Sequence, residues 1–308
     1  GGTNADDQNT DSSEDTYTIG GLNLDQEVLL SEATAGCQAY AAEHSNVKLI
    51  EYNANKDVST QLKQCENLIS QNVDAIALTP VDGAGCDQII NACKDAGIPL
   101  ICFHAKVNGA PITNILFDNV GFGKMQVDYA MEIFEKSGGD MNGTINVGIV
   151  TGKLDNQNAV ERCQGYEEQL KNYANATIVD EQVGSWNRDD AMAIAENWIT
   201  SGRDIDNILS NNDAMAIGIS LAYANANVER PIIIGVGGTE EGLTAILNGD
   251  FDGTVFQPAY QNGYDAIDFT VKYLNGETLE ESYVTEGVLV TPATAQATLD
   301  DLNAMRNS

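Results

Sequence analysis

From Tyr17 onward, short apolar runs alternate with longer segments whose apolar residues recur at helical spacing. Thr18–Leu24 (TIGGLNL), Val47–Asn53 (VKLIEYN), Val73–Thr79 (VDAIALT), Ile98–Phe103 (IPLICF) and Ile112–Phe117 read as strands. They are mostly continuous rather than alternating in apolar character, the pattern of strands covered by helices on both faces of a parallel sheet. Between them Glu27–Glu43, Val58–Ser70 and Cys86–Ala96 read as helices, and Gly97-Ile98-Pro99 ends one helix and starts a strand. The pattern then restarts. Ile145–Val150, Thr177–Glu181, Asn207–Ser210, Ile232–Val236 and Thr254–Phe256 are predicted strands, separated by helices over Ala159–Asn172, Asp189–Ser201, Ala214–Ala224 and Glu240–Leu247. A helix over Tyr260–Leu274, a strand at Val288–Val290 and a helix over Ala295–Met305 close the chain. Two successive β/α series predict two doubly wound α/β lobes rather than one very wide sheet.

The chain length supports that division, since 308 residues lie near the size at which one core stops growing. No apolar run is long enough to span a bilayer. Residues 1–15, GGTNADDQNTDSSED, hold five acids, no base and no large apolar side chain, and are expected to form a flexible tether. A bacterial lipoprotein keeps such a Gly-started polar leader after its lipidated Cys, and an expression scar reads the same way. Only five of the 46 acids lie there, so the body itself accounts for most of the formal charge of −31. That charge excludes a phosphate-backbone binder, because nucleic-acid affinity rests on Lys and Arg displacing counterions. Six cysteines, at 37, 65, 86, 93, 102 and 163, show no CxxC pair and no His at metal spacing, and read as buried free thiols. The alternative is one disulfide, for example between Cys37 and Cys65 on neighbouring helices.

Enzyme signals are poor. Of the two histidines, His44 falls on a polar helix end and reads as solvated, which leaves only His104 for a triad, with no GxSxG elbow beside it. Asp189-Asp190 and Glu240-Glu241 fall at helix starts, where the dipole favours acids without any catalytic role. Gly235-Val236-Gly237-Gly238 lacks the third glycine of a dinucleotide loop, and Gly121-Phe122-Gly123-Lys124 has the wrong spacing for a Walker A loop. Neither a metal nor a cofactor is called for. What the chain does carry is a set of polar and aromatic residues after predicted strands: His104, Asn156, Asn158, Arg162, Trp186, Asn211-Asn212-Asp213 and Gln257. Amides and Arg offer hydrogen bonds in fixed geometry and an aromatic face covers the C–H side of a ring, the mixture that a polyhydroxy ligand needs. Each residue also has a purely structural reading: Asn212 or Asp213 as a helix cap, Arg162 as the partner of Glu161 or another acid.

Asn207–Ala224 (NILSNNDAMAIGISLAYA) and Pro231–Gln257 (PIIIGVGGTEEGLTAILNGDFDGTVFQ), with Asp74–Asp82 and Ala96–Phe103, resemble the type I periplasmic binding proteins of the ribose- and glucose/galactose-binding kind. The resemblance runs from about Thr18 to Pro292. It implies two lobes joined by three strand crossovers and closing on a ligand by a hinge, with an N-terminal lobe of residues 16–117 plus 259–289 and a C-terminal lobe of 118–258 plus 290–308. It also implies an exported, monomeric receptor that hands a small neutral carbohydrate-like ligand to an ABC transporter permease, with membrane contact only through a lipid anchor. The alternatives are a sensory domain serving a chemoreceptor or histidine kinase, or a binder of a non-sugar such as an autoinducer-type furanose or a nucleoside, whereas a repressor would need a DNA-binding helix-turn-helix in place of the acidic leader. By resemblance, Asn212, Arg162 and Trp186 match sugar-binding positions, His104, Asn156, Asn158 and Gln257 fall at contact positions, and Asp25 and Gln26 lie in the N-lobe contact loop. One departure stands out: the family's strand-end Asp aligns with Gly237.

Overall fold

The computed structural model describes residues 15–307, so the expected tether lies outside the described residues except for Asp15. In chain order the elements are β1 (Tyr17–Asn23), α1 (Val28–Glu43), β2 (Val47–Asn53), α2 (Val58–Ser70), β3 (Ala75–Leu78), α3 (Asp87–Ala96), β4 (Leu100–Phe103), β5 (Thr113–Phe117), α4 (Asn119–Lys136), β6 (Ile145–Thr151) and α5 (Gln157–Leu170). There follow β7 (Ala176–Val183), α6 (Arg188–Thr200), β8 (Asn207–Ser210), α7 (Asp213–Asn225), β9 (Ile232–Gly237), α8 (Glu240–Leu247), β10 (Gly253–Phe256), α9 (Ala259–Leu274), β11 (Ser282–Thr285), β12 (Val288–Val290) and α10 (Ala295–Arg306).

These strands form two six-stranded sheets, ordered β11-β5-β4-β3-β1-β2 and β12-β10-β9-β8-β6-β7. Pairing is parallel throughout except for β12, which runs antiparallel to β10. The chain crosses between sheets three times: after β5 into α4, which packs on β8, β9 and β10; after β10 into α9, which packs on α1 and on β3 to β5; and from β11 directly to β12. Helices cover both faces of each sheet, which explains why the inner strands are wholly buried.

Alternation along the strands divides each core in two. In the first sheet Ile101 and Phe103 face the α1/α9 side, while Leu100 and Cys102 face the α2/α3 side. This division separates the two cysteines of the alternative Cys37–Cys65 disulfide. Cys37 on α1 donates its thiol to the Gly263 carbonyl on one face, whereas Cys65 on α2 lies on the other face, 3.6 Å from the Cys93 sulfur. All six cysteines are free thiols. His44 is likewise not simply solvated: its ring stacks on Tyr40 at 3.9 Å.

Two elements were not anticipated. Helix α4 opens on NVGFGK, whose two glycines disguise a helix start. Asp118 caps it by accepting from the Gly121 amide, and Gly123 is where α4 meets α5: a Cβ there would overlap the Arg162 carbonyl oxygen and lie 3.1 Å from Gly165 Cα. The matching helix pair in the other lobe, α1 and α9, crosses in the same way at Gly36 and Gly263. Strand β11 (SYVT) is short, half exposed and formed only by pairing with β5. Among the described residues, no helix is long and apolar enough to cross a membrane.

Candidate functional site

A cleft of about 550 Å³ lies between the lobes at the carboxyl ends of the parallel strands. The first lobe contributes Gln26, Glu27, Val28, Leu29, Leu30 and His104; the second contributes Asn156, Asn158, Arg162, Trp186, Asn212, Asp213, Val236, Thr239, Glu241 and Gln257. Eight of the nine residues that the resemblance places at ligand contacts therefore share one cavity. Asp25 does not: it lies outside the lining, 3.5 Å from Lys56 Nζ.

Arg162 organises the C-lobe wall. It stands on α5 with only 3% of its surface exposed. Its Nε donates to Asn119 Oδ1 (3.0 Å), one terminal nitrogen to the Asn211 carbonyl (2.6 Å) and the other to Gln257 Oε1 (3.1 Å). The guanidinium carbon sits 5.5 Å from the Trp186 ring and 5.8 Å from that of Phe122. The alternative, structural reading, a pairing with Glu161 or another acid, is not made: among the described residues no carboxylate forms an ion pair with Arg162, although the Asp213 charge acts on it. Burial lowers its pKa to about 10, so the group stays charged at neutral pH.

Asn156 and Asn212 serve two purposes at once. Asn156 caps α5 by accepting from the Asn158 amide at 2.9 Å, and Asn212 caps α7 by accepting from the Met215 amide at 2.9 Å. In both, the cap uses the side-chain oxygen and leaves the NH2 end to other partners. Trp186 adopts a left-handed backbone (φ 65°), and its ring lies directly over Gly152, where any Cβ would overlap the indole. On the facing lobe His104 also has positive φ (71°). Its amide donates to Asn262 Oδ1 at 3.0 Å, its ring stands edge-on to Phe117, and its buried Nδ1 has no partner. Burial, and then the Arg162 charge, push the imidazole pKa down to about 4, so it is neutral at physiological pH.

Gly237 and Gly238 form a tight turn with φ of 142° and 71°. Sequence reasoning noted the glycines but not what fills their turn. Asp213, wholly buried on α7, accepts from the Gly238 amide (2.8 Å), the Thr239 amide (3.3 Å) and the Thr254 hydroxyl (2.6 Å). Both carboxylate oxygens are thus occupied, and the backbone nest that resembled a dinucleotide loop already holds an anion from the chain itself. Asn119, which links Arg162 to Asn158, was also missed, because it lies in the helix that the glycines disguised. Among the described residues, no three His, Cys, Asp or Glu side chains are grouped to hold a metal ion.

Residues 24–278 match the periplasmic binding protein domain family. The xylitol-binding protein of Mycolicibacterium smegmatis is 30% identical over 293 residues, covering 94% of this chain and 80% of that protein. The putative rhizopine-binding protein of Rhizobium meliloti is 30% identical over 271 residues, with 84% of each chain covered. Among solved structures, an ABC transporter solute-binding protein from Bacillus halodurans C-125 with bound myo-inositol superposes with a TM-score of 0.82 at 28% identity, over 94% of this chain and 99% of that one. The fold, the interlobe cleft and these likenesses define a bilobal solute receptor. The chain belongs to the periplasmic binding protein family, in its type I, sugar-binding branch, whose members work outside the cytoplasm.

Proposed function

We propose that this protein captures a small carbohydrate-like solute in the interlobe cleft and delivers it to the permease of an ABC importer without transforming it. The observation that carries this reading is the Arg162 network. A buried guanidinium flanked by Asn158, Asn212 and Gln257, with the Trp186 ring beside it, faces His104 and the apolar residues Val28 to Leu30 across the cleft. An aromatic and aliphatic surface suits the C–H face of a ring or carbon chain, and the polar wall suits its oxygens. The likeness to xylitol-binding and inositol-bound relatives supports the polyol and monosaccharide class. The residues proposed to touch the ligand are Gln26, His104, Asn156, Asn158, Arg162, Trp186, Asn212 and Gln257. Asp25 is proposed to act only by holding Lys56 at the edge of the contact loop.

A thermal-shift screen followed by calorimetry tests the proposal. A ligand present at a hundred times its Kd stabilises the native state by about 2.7 kcal/mol. Arg162→Ala and Trp186→Ala should each weaken binding of the compound so identified by about tenfold or more, and full affinity in both variants would place the ligand elsewhere.

A further inference from the structure

Four of the six cysteines gather on one side of the first sheet. Cys65 on α2, Cys86 at the start of α3, Cys93 on α3 and Cys102 on β4 share a core with Leu22, Leu68, Ile76, Leu78 and Ile89, and each is at most 1% exposed. Within this core Cys65 and Cys93 are in direct contact, their sulfurs 3.6 Å apart. Other thiols are engaged differently: Cys86 donates to Gln61 Oε1 at 3.8 Å, and Cys37 to the Gly263 carbonyl on the opposite face of the sheet. Cys163 belongs to the other lobe.

The two helices so joined differ in how well they are held. Helix α3 has ten residues, its N-cap Cys86 supplies no side-chain cap, and its buried residues are Ile89 and Cys93. Helix α2 is fastened to the sheet: Asp57 caps it through the Thr60 amide, and Gln61, one turn before Cys65, donates to the Thr79 carbonyl and accepts from the Val81 amide. A covalent link from Cys93 to Cys65 would tie the loosely held helix to the firmly held one. It requires the sulfurs to approach by about 1.5 Å, a shift that α3, with two buried side chains to carry along, can supply. The Cys93 thiol, donating to Cys65, holds the Cys65 pKa below the ordinary thiol value against the effect of burial, which favours the reactive thiolate. Members of the family work outside the cytoplasm, where disulfides form and persist.

We infer that Cys65 and Cys93 are a disulfide-forming pair, oxidised while the chain folds outside the cytoplasm, and that the bond pins α3 to α2. The oxidant is itself a disulfide, carried by a thiol–disulfide oxidoreductase or by glutathione. The Cys65 thiolate attacks one of its sulfurs, forming a mixed disulfide and expelling the first thiolate. The Cys93 sulfur, giving up its proton, then attacks the Cys65 sulfur and expels the second. Two cysteine thiols are oxidised, one disulfide is reduced, and the two protons end on the two departing thiols. Both sulfurs are buried in the folded lobe, so the exchange belongs to the incompletely folded chain and the finished bond is shielded from reductants. The cysteines are 28 positions apart, a loop long enough for the constraint on the unfolded chain to raise the melting midpoint by about 5 °C or more.

Export of the full chain to the periplasm of a bacterial host tests the inference, with the same chain made in that host's reducing cytoplasm as the comparison. Thiols are counted in denaturant, and the alkylated, digested protein is read by mass spectrometry. The exported chain should show four free thiols, the six cysteines less the bridged pair, with the peptides carrying Cys65 and Cys93 linked. The cytoplasmic chain should show six, melt about 5 °C or more lower, and exchange the amide hydrogens of α3 about tenfold or more faster. Exported Cys93→Ala should keep five free thiols. Six free thiols in the exported chain, or a link between any other pair, overturns the assignment. A Cys65–Cys93 link that changes neither the midpoint nor the exchange overturns the pinning of α3. The linkage is read on the unsubstituted chain, so the test does not depend on how well Cys93→Ala folds.

Discussion

The crossing of α4 and α5 places Arg162, and its tolerance can be worked out from one residue. A Cβ added at Gly165 would overlap the Val120 carbonyl oxygen and lie 3.0 Å from Gly123 Cα and 3.1 Å from Lys124 N. Carbon contacts relax at roughly 3.5 to 4.0 Å, so Gly165→Ala must push α5 off α4 by about 1 Å, because the obstacles are backbone atoms that cannot rotate away. Overpacking of this kind costs about 1–3 kcal/mol. For a chain of this size each kcal/mol lowers the melting midpoint by about 2–4 °C, so a drop of about 5 °C is expected by differential scanning fluorimetry. The effect on binding should exceed what stability alone predicts. Arg162 lies one turn before Gly165, and its three bonds of 2.6 to 3.1 Å reach groups outside α5. If the shift takes the guanidinium out of reach of one ligand oxygen, the lost hydrogen bond to a charged donor is about 1.5–3 kcal/mol, which is roughly tenfold or more in affinity. Calorimetry on Gly165→Ala, with the exposed Glu167→Ala as control, measures this. If Gly165→Ala melts and binds as the native protein does, then α5 is not held by its contact with α4 and the account of how Arg162 is positioned is wrong.

The remaining predictions concern His104 and the contact between lobes. His104 has a folded pKa of about 4 against an ordinary 6.5, so between those values the unfolded chain binds the extra proton and stability rises with pH. Lowering the pH from 6.5 to 4 should cost the native protein on the order of 3 kcal/mol that His104→Asn does not lose, and parallel melting curves for the two across that window would refute the assignment. Arg306, near the end of α10, bonds Glu32 on α1 at 2.5 Å and Glu240 on α8 at 2.6 Å, joining the two lobes beside the cleft. Arg306→Gln strips the 8%-exposed Glu32 of its cation and should speed ligand release about three- to tenfold in stopped-flow experiments, with the release rate unchanged if the bridge carries no closing energy.

The two β/α series were legible because strands covered on both faces give continuous apolar runs, and IALT, LICF and NILS leave no other reading. Arg162, Asn212 and Gln257, which line the cleft together, were picked out by their place after predicted strands, where ligands sit in this architecture, and by the family resemblance. What escaped depends on contacts between segments distant in sequence. Helix α4 hides because Gly121 and Gly123 carry a helix-breaking signal locally, although one lies at the Asp118 cap and the other at the α5 contact. Strand β11 has no pattern of its own and forms only because β5 presents an edge. Asp25 was misplaced since adjacency to Gln26 in sequence does not set which side chain faces the cleft, and Lys56, thirty-one positions away, decides it. The saturation of Asp213 could not be read either, because its partners come from β10 and from the turn after β9.

Those same distant contacts tie the site to the hinge. Asn119, which accepts from Arg162, is the first residue of α4 and so follows the first crossover directly; Gln257, which also accepts from Arg162, stands at the second. On the facing lobe Asn262 holds the His104 amide while donating to the Ile115 carbonyl and to the Thr285 hydroxyl, the last residue before the third crossover. The Asp118 amide in turn donates to the Thr285 carbonyl, linking the first crossover to the third. A ligand that engages Arg162 and His104 thus loads two hydrogen-bond networks that between them include all three connecting strands. Because each buried amide in these networks has its orientation fixed by its neighbours, a shift at one end cannot be absorbed by rotating a single side chain. In the proposed mode of binding, Asn119 and Asn262 are the groups that would pass the ligand's contacts on to the crossovers. A ligand can move such an equilibrium only by as much as its affinities for the open and closed arrangements differ, so Asn119→Ala and Asn262→Ala should each lower affinity in calorimetry if those two residues carry part of that difference.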